Sequence, residues 1–115
     1  MASRYLDELK DLLGRAHPDL DAAHRLEFKN VFGAVAGYVN GRIFISCGKF
    51  GVALRLPAGA LDRLRQEADV KPLRYFPKGH IKKQYAVLPD RMIQDQSRFR
   101  ERIDDSIEYA LRADD

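Results

Sequence analysis

The dipeptide Asn40-Gly41 constrains this chain more than any other feature of its sequence. Asn and Gly both accept the positive φ that a type I′ turn demands, so Asn-Gly between alternating apolar residues predicts a two-residue β-hairpin. Read that way, Val39 pairs with Arg42, Tyr38 with Ile43, Ala36 with Ile45 and Ala34 with Cys47. One face then holds Tyr38, Ile43, Ala36, Ile45, Ala34 and Cys47, all apolar or nearly so. A one-residue slip would turn this set to the other face. Gly33 and Gly37 mark a bulge or tight bend. A second turn near Gly48-Lys49-Phe50-Gly51 leads into Val52–Leu56, which alternates again, so residues 26–56 read as a meander.

Helical spacing brackets these strands. Tyr5, Leu6, Leu9, Leu12 and Leu13 form one stripe of 3.6-residue period. Ser3 suits its N-cap and Gly14 its stop. Pro57 suits the first turn of a middle helix carrying Leu61, Leu64 and Ala68. Two short extended segments follow, Pro72–Phe76 and Gln84–Leu88. The last helix carries Phe99, Ile103, Ile107 and Ala110 or Leu111, with Asp95 or Ser97 as its cap. Arg100–Asp104 and Glu108–Arg112 are spaced as ion pairs on it. The order is helix, β-meander, helix, β-hairpin, helix. That order predicts an α+β two-layer sandwich, an antiparallel sheet with helices on one face.

Length and composition narrow the function. A chain of 115 residues, 45% hydrophobic and 32% charged, supports one globular domain. No run of 18 apolar residues exists, so no membrane helix is expected. Charges spread through the first twenty residues exclude a secretory h-region. A single Cys fits a reducing cytoplasm. The net charge of +3 is a cancellation. Residues 1–40 hold five Lys/Arg and six Asp/Glu, residues 41–89 ten against three, and residues 90–115 five against eight.

Nothing pairs a nucleophile with a base, so no catalytic residue and no enzyme activity is expected. Cys47 lies among Ile43 and Ile45 and reads as a core residue. His17, His24 and His80 have no metal-ligand spacing, and no phosphate-binding glycine motif occurs, so neither metal nor cofactor is expected.

The most suggestive polar feature is the loop from Lys78 to Lys83, which lies in the acid-free stretch Val70–Pro89 and points to an anion or a nucleic acid as ligand. Arg74, Lys78, His80, Lys82 and Lys83 interleave there with Tyr75, Phe76 and Tyr85. Single-stranded nucleic-acid binders use that mixture for phosphate contact and base stacking. A solvated hairpin whose lysines guard a strand edge is the alternative. The basic middle and acidic end also suit a head-to-tail or two-fold self-contact, hence a homodimer.

Phe32-Gly33-Ala34-Val35-Ala36-Gly37-Tyr38-Val39-Asn40-Gly41-Arg42-Ile43-Phe44 resembles the MFGG-x-G-x-Y-x-x-G-x-x-F signature of the TfoX N-terminal domain family. Leu54-Arg55-Leu56-Pro57, Pro72–Gly79, Tyr85–Pro89 and Ser106–Ala110 resemble its later blocks in the same order. The resemblance makes Phe32, Gly33, Gly37, Tyr38, Gly41 and Phe44 structural signature residues. It implies a secretion-chaperone-like α+β fold over a single domain, residues 1–115, without the C-terminal domain of the best-known members. Those members are bacterial competence regulators that act with a cyclic-AMP receptor protein. The resemblance therefore implies a non-enzymatic regulatory domain with a protein partner in the transcription machinery.

Overall fold

The computed structural model describes residues 2–113. The stripe of Tyr5, Leu9 and Leu13 becomes the buried side of α1 (Ala2–Ala16). Gly14 does not end this helix. A Cβ there would meet nothing within 4 Å, so the position lies on the open side and tolerates helix. Pro18 sets the end instead, because the residue before a proline is pushed out of helical geometry. The last turn closes with His17 N–H donating to the Leu13 carbonyl at 2.8 Å. A single turn, α2 (Leu20–Ala23), follows.

The meander is β1 (Leu26–Val31), β2 (Ala34–Val39), β3 (Arg42–Gly48) and β4 (Gly51–Arg55). Asn40 and Gly41 have φ of 50° and 80°, the signs of a type I′ turn. Phe32 and Gly33, with φ of 50° and 79°, repeat that geometry between β1 and β2.

After the meander come α3 (Ala58–Arg65), β5 (Lys71–Leu73), β6 (Lys82–Leu88), α4 (Asp90–Gln94) and α5 (Gln96–Arg112). All strand pairs are antiparallel, in the order β1-β2-β3-β4-β6-β5. The last strand thus inserts beside β4 and pushes β5 to the edge. β5 is shorter than the expected Pro72–Phe76 because the chain leaves the sheet at Arg74 and folds back.

The hairpin register agrees with expectation only near its turn. Val39 faces Arg42 and Tyr38 faces Ile43, but Gly37 faces Ile45, Ala36 faces Ser46 and Val35 faces Cys47. The shift falls between Gly37 and Tyr38, and Phe44 is the extra residue of the bulge. Gly37 permits it: a Cβ there would lie 2.7 Å from Ile45 Cγ2. The bulge exchanges the faces. Val35, Val39, Ile45 and Cys47 join the core under the helices, while Ala36 turns to the opposite side.

The helices cover one face of the sheet. Leu9, Leu20, Val35, Val39, Phe44, Ile45, Leu54, Leu56, Phe99 and Ile103 are at most 2% exposed in one continuous core. Burial of each such large side chain stabilises by roughly 1.5–3 kcal/mol. Buried Ser106 on α5 donates to the Phe44 carbonyl at 2.7 Å and satisfies a group at the bulge. Arg42 donates to the Ala113 and Ala110 carbonyls and closes the C-terminal end of α5. Asp95 caps its start by accepting from Arg98 N–H at 3.3 Å. Of the two ion pairs expected along α5, Glu108–Arg112 forms at 4.0 Å. Asp104 instead takes His17 Nε2 at 2.6 Å, tying α5 to the end of α1.

Candidate binding face

The other face of the sheet builds the site. Lys29, Ala36, Ser46, Ala53 and Val87 stand in register across five strands. The three central members have short side chains, so they leave a shallow bed on the sheet. The segment from Arg74 folds back across this bed, and Tyr75 fills it together with Phe50 and Tyr85 over Ala53, Leu73 and Val87. The hydroxyls of Tyr75 and Ser46 lie 3.2 Å apart, which pins the segment to a central strand.

Tyr75 is the hub of an aromatic cluster. Its ring meets Phe32 at a centroid distance of 5.5 Å and Phe50 at 5.6 Å, both edge to face. Phe32 also meets Phe76 at 5.7 Å. Lys82 Nζ sits 6.0 Å above the Tyr75 ring. Burial raises the Tyr38 phenol above its ordinary range, and neighbouring Tyr75 raises it further.

Tyr75 is half-buried, but Phe32 and Phe76 remain 65% and 55% exposed. A phenylalanine in left-handed backbone is a genuine outlier, disfavoured by about 1–2 kcal/mol. Here it carries its ring into solvent beside other rings. Such outliers cluster where a surface is used.

Two cavities flank Phe32. The larger, of about 500 Å³, lies between the 32–33 turn and the 49–50 turn, with Lys49, Arg74 and Phe76 in its wall. The smaller, of about 190 Å³, has Phe76, His80 and Lys82 in its wall. Among the described residues, no carboxylate lines either one.

All five basic residues expected at this site are exposed. The structure brings Arg74, His80 and Lys82 onto the aromatic cluster, whereas Lys78 and Lys83 line neither cavity. The Lys83 backbone carbonyl accepts from Arg65 at 3.3 Å. Sequence reasoning missed Phe32, Lys49, Phe50 and Ser46 as parts of this face. The available signal was Phe32-Gly33 itself, two residues between alternating segments.

The signature residues divide. Phe32 and Gly33 form the exposed turn, Gly41 forms the opposite one, Gly37 and buried Phe44 form the bulge, and Tyr38 lies under Lys29 Nζ at 4.8 Å. Cys47 is 1% exposed, and burial, helped by the Glu8 carboxylate, pushes its thiol up to about 12. Among the described residues, no group of three His, Cys, Asp or Glu could hold a metal ion. No helix among them is long and apolar enough to cross a membrane.

An open antiparallel sheet with helices on one face and an aromatic, basic second face defines an α+β domain with a built surface. The family model for the TfoX N-terminal domain matches residues 19–110, and the chain belongs to that family. No curated protein matches it.

Proposed function

We propose that this chain is a non-enzymatic regulatory domain of the bacterial cytoplasm that works by contact with a protein of the transcription machinery. Its docking surface is the face around Phe32, Tyr75 and Phe76. The observation that carries this reading is Phe32, held in left-handed backbone and 65% exposed against two further rings. Clustered exposed aromatics beside cations suit a partner that brings apolar and acidic side chains together. Membership of a family whose best-known members regulate competence supports the same reading.

Affinity capture tests it. Wild-type protein is expected to retain a transcription component that Phe32→Ser and Phe76→Ser both lose with the fold intact. Equal capture by all three proteins would overturn it.

A second reading rests on the acid-free stretch from Val70 to Pro89. In it, Arg74, Lys78, His80, Lys82 and Lys83 bind the phosphates of a single strand whose bases stack on Phe32 and Phe76. Titration with a labelled single-stranded oligonucleotide across a salt series decides it. A steep fall with salt supports phosphate contact. Binding retained after Lys78, Lys82 and Lys83 are all changed to Ala sinks it.

A further inference from the structure

β1 forms one edge of the sheet, and no strand lies beyond it among the described residues. The other edge, β5, has three residues including Pro72. A short edge that lacks an N–H donor resists pairing with a neighbour. β1 has six residues, with neither Pro nor Gly. An edge of this length is a template for another strand unless its side chains forbid one.

The side chains of β1 forbid most partners and permit one. Leu26 and Phe28 lie half-buried against the helix-side core. Glu27 and Lys29 alternate with them, in register with Tyr38 and Ala36 on the opposite face. A lone lysine on an edge repels a basic strand and leaves an apolar one unmatched. A glutamate two residues before it makes the strand complementary to its own antiparallel copy.

We infer that β1 pairs antiparallel with β1 of a second copy of this chain, about a two-fold axis through Phe28. Only this register sets Glu27 of each copy against Lys29 of the other, and it also sets Phe28 against Phe28. Moving the axis to Glu27 or Lys29 puts like charges face to face. Moving it between residues sets Phe28 beside Lys29 or Glu27. The chosen register also keeps both helix layers on the same side of one continuous sheet, because opposed residues in antiparallel strands share a face.

The contact is isologous, as a closed dimer requires. The present partners of the two charges are weak ones. Glu27 accepts from exposed Arg25 at 3.1 Å, and Lys29 leans over Tyr38. Exchanging one exposed charge contact for another costs little. A groove of about 240 Å³ between Leu26, Phe28 and the α1–α2 corner at Leu13 and Leu20 lies beside the axis, with Lys10 and Asp21 also in its wall and Lys10 Nζ 5.8 Å over the Phe28 ring.

Sedimentation velocity over a concentration series at low salt tests this assignment. The wild type is expected to reach twice the mass of the chain. Glu27→Lys sets lysine against lysine and Lys29→Glu sets glutamate against glutamate, so each variant alone is expected to stay at the single-chain mass. Mixing the two variants restores opposite charges across the axis, and a mixed dimer is expected by native mass spectrometry. Hydrogen exchange of the wild type adds an independent readout, since amides of β1 gain protection as concentration rises. A wild type that stays at the single-chain mass, single variants that dimerise like it, or a mixture that does not recover would each overturn the assignment.

Discussion

The ring of Phe32 meets the ring of Tyr75 edge to face at 5.5 Å, joining a two-residue turn to a segment that arrives from the far end of the sheet. This contact is the centre of the proposed binding face. It also couples a strained backbone to an exposed side chain, so stability and binding can be separated there.

Phe32→Asn removes the ring but suits left-handed backbone. Relief of about 1 kcal/mol of strain offsets the loss of two ring contacts of about 0.5–1.5 kcal/mol each. The stability of the fold is expected to fall by no more than about 2 kcal/mol in urea unfolding. Affinity for whatever binds the face is expected to fall at least tenfold, about 1.4 kcal/mol.

Gly37→Ala pushes a Cβ to 2.7 Å from Ile45 Cγ2 in a packed core. Overpacking of this kind costs roughly 1–3 kcal/mol. Ile45→Ala removes the opposing methyl group. The double variant is therefore expected to lose less than the sum of the two singles, measured as a double-mutant cycle in denaturant.

Cys47 gives a pH dependence with a definite sign. Burial favours the neutral thiol, so the folded protein holds its proton to about 12 while the unfolded chain releases it near the ordinary thiol value of 9.0. The resulting stability is constant below about 9 and declines as pH rises toward 12. The slope for one such group is at most ~1.4 kcal/mol per pH unit. Unfolding between pH 8 and 11 is expected to show this decline in the wild type and a shallower one in Cys47→Ala. Native protein is expected to react with a thiol reagent only as fast as it opens.

His17 is buried, and Asp104 holds its Nε2, while Nδ1 has no hydrogen-bond partner among the described residues. Asp104→Ala leaves both ring nitrogens unpaired. A loss of about 1–3 kcal/mol is expected by chemical denaturation. His17→Leu combined with Asp104→Ala removes donor and acceptor together and is expected to recover most of that loss.

Several elements were readable from residue pattern because local chemistry decides them. Asn40-Gly41 fixed its turn and Leu9 and Leu13 their helix face, and of the two candidate caps, Asp95 and Ser97, the structure uses Asp95. The register beyond Gly37 was not readable. The bulge is dictated by how Phe44 and Ile45 pack under α5, a contact between residues far apart in the chain. The Phe32-Gly33 turn was hidden for a different reason. Phenylalanine is a poor turn former, and only its ring contacts with Tyr75 and Phe76 explain its position. Arg74, His80 and Lys82 were visible as a basic aromatic run, but the bed of Ala36, Ser46 and Ala53 that receives Tyr75 depends on the shifted register.

The strand order has a consequence for the time course of folding. β1 to β4 follow one another through two-residue connections, so this unit can zip up from neighbouring contacts. β6 must close a much longer loop before it reaches β4, and long closures are slow. Phe32 belongs to the early unit, while Tyr75 and Phe76 arrive with the late one. The aromatic face is thus assembled at the end of folding, and a chain halted before that step displays Phe32 without the surface it serves.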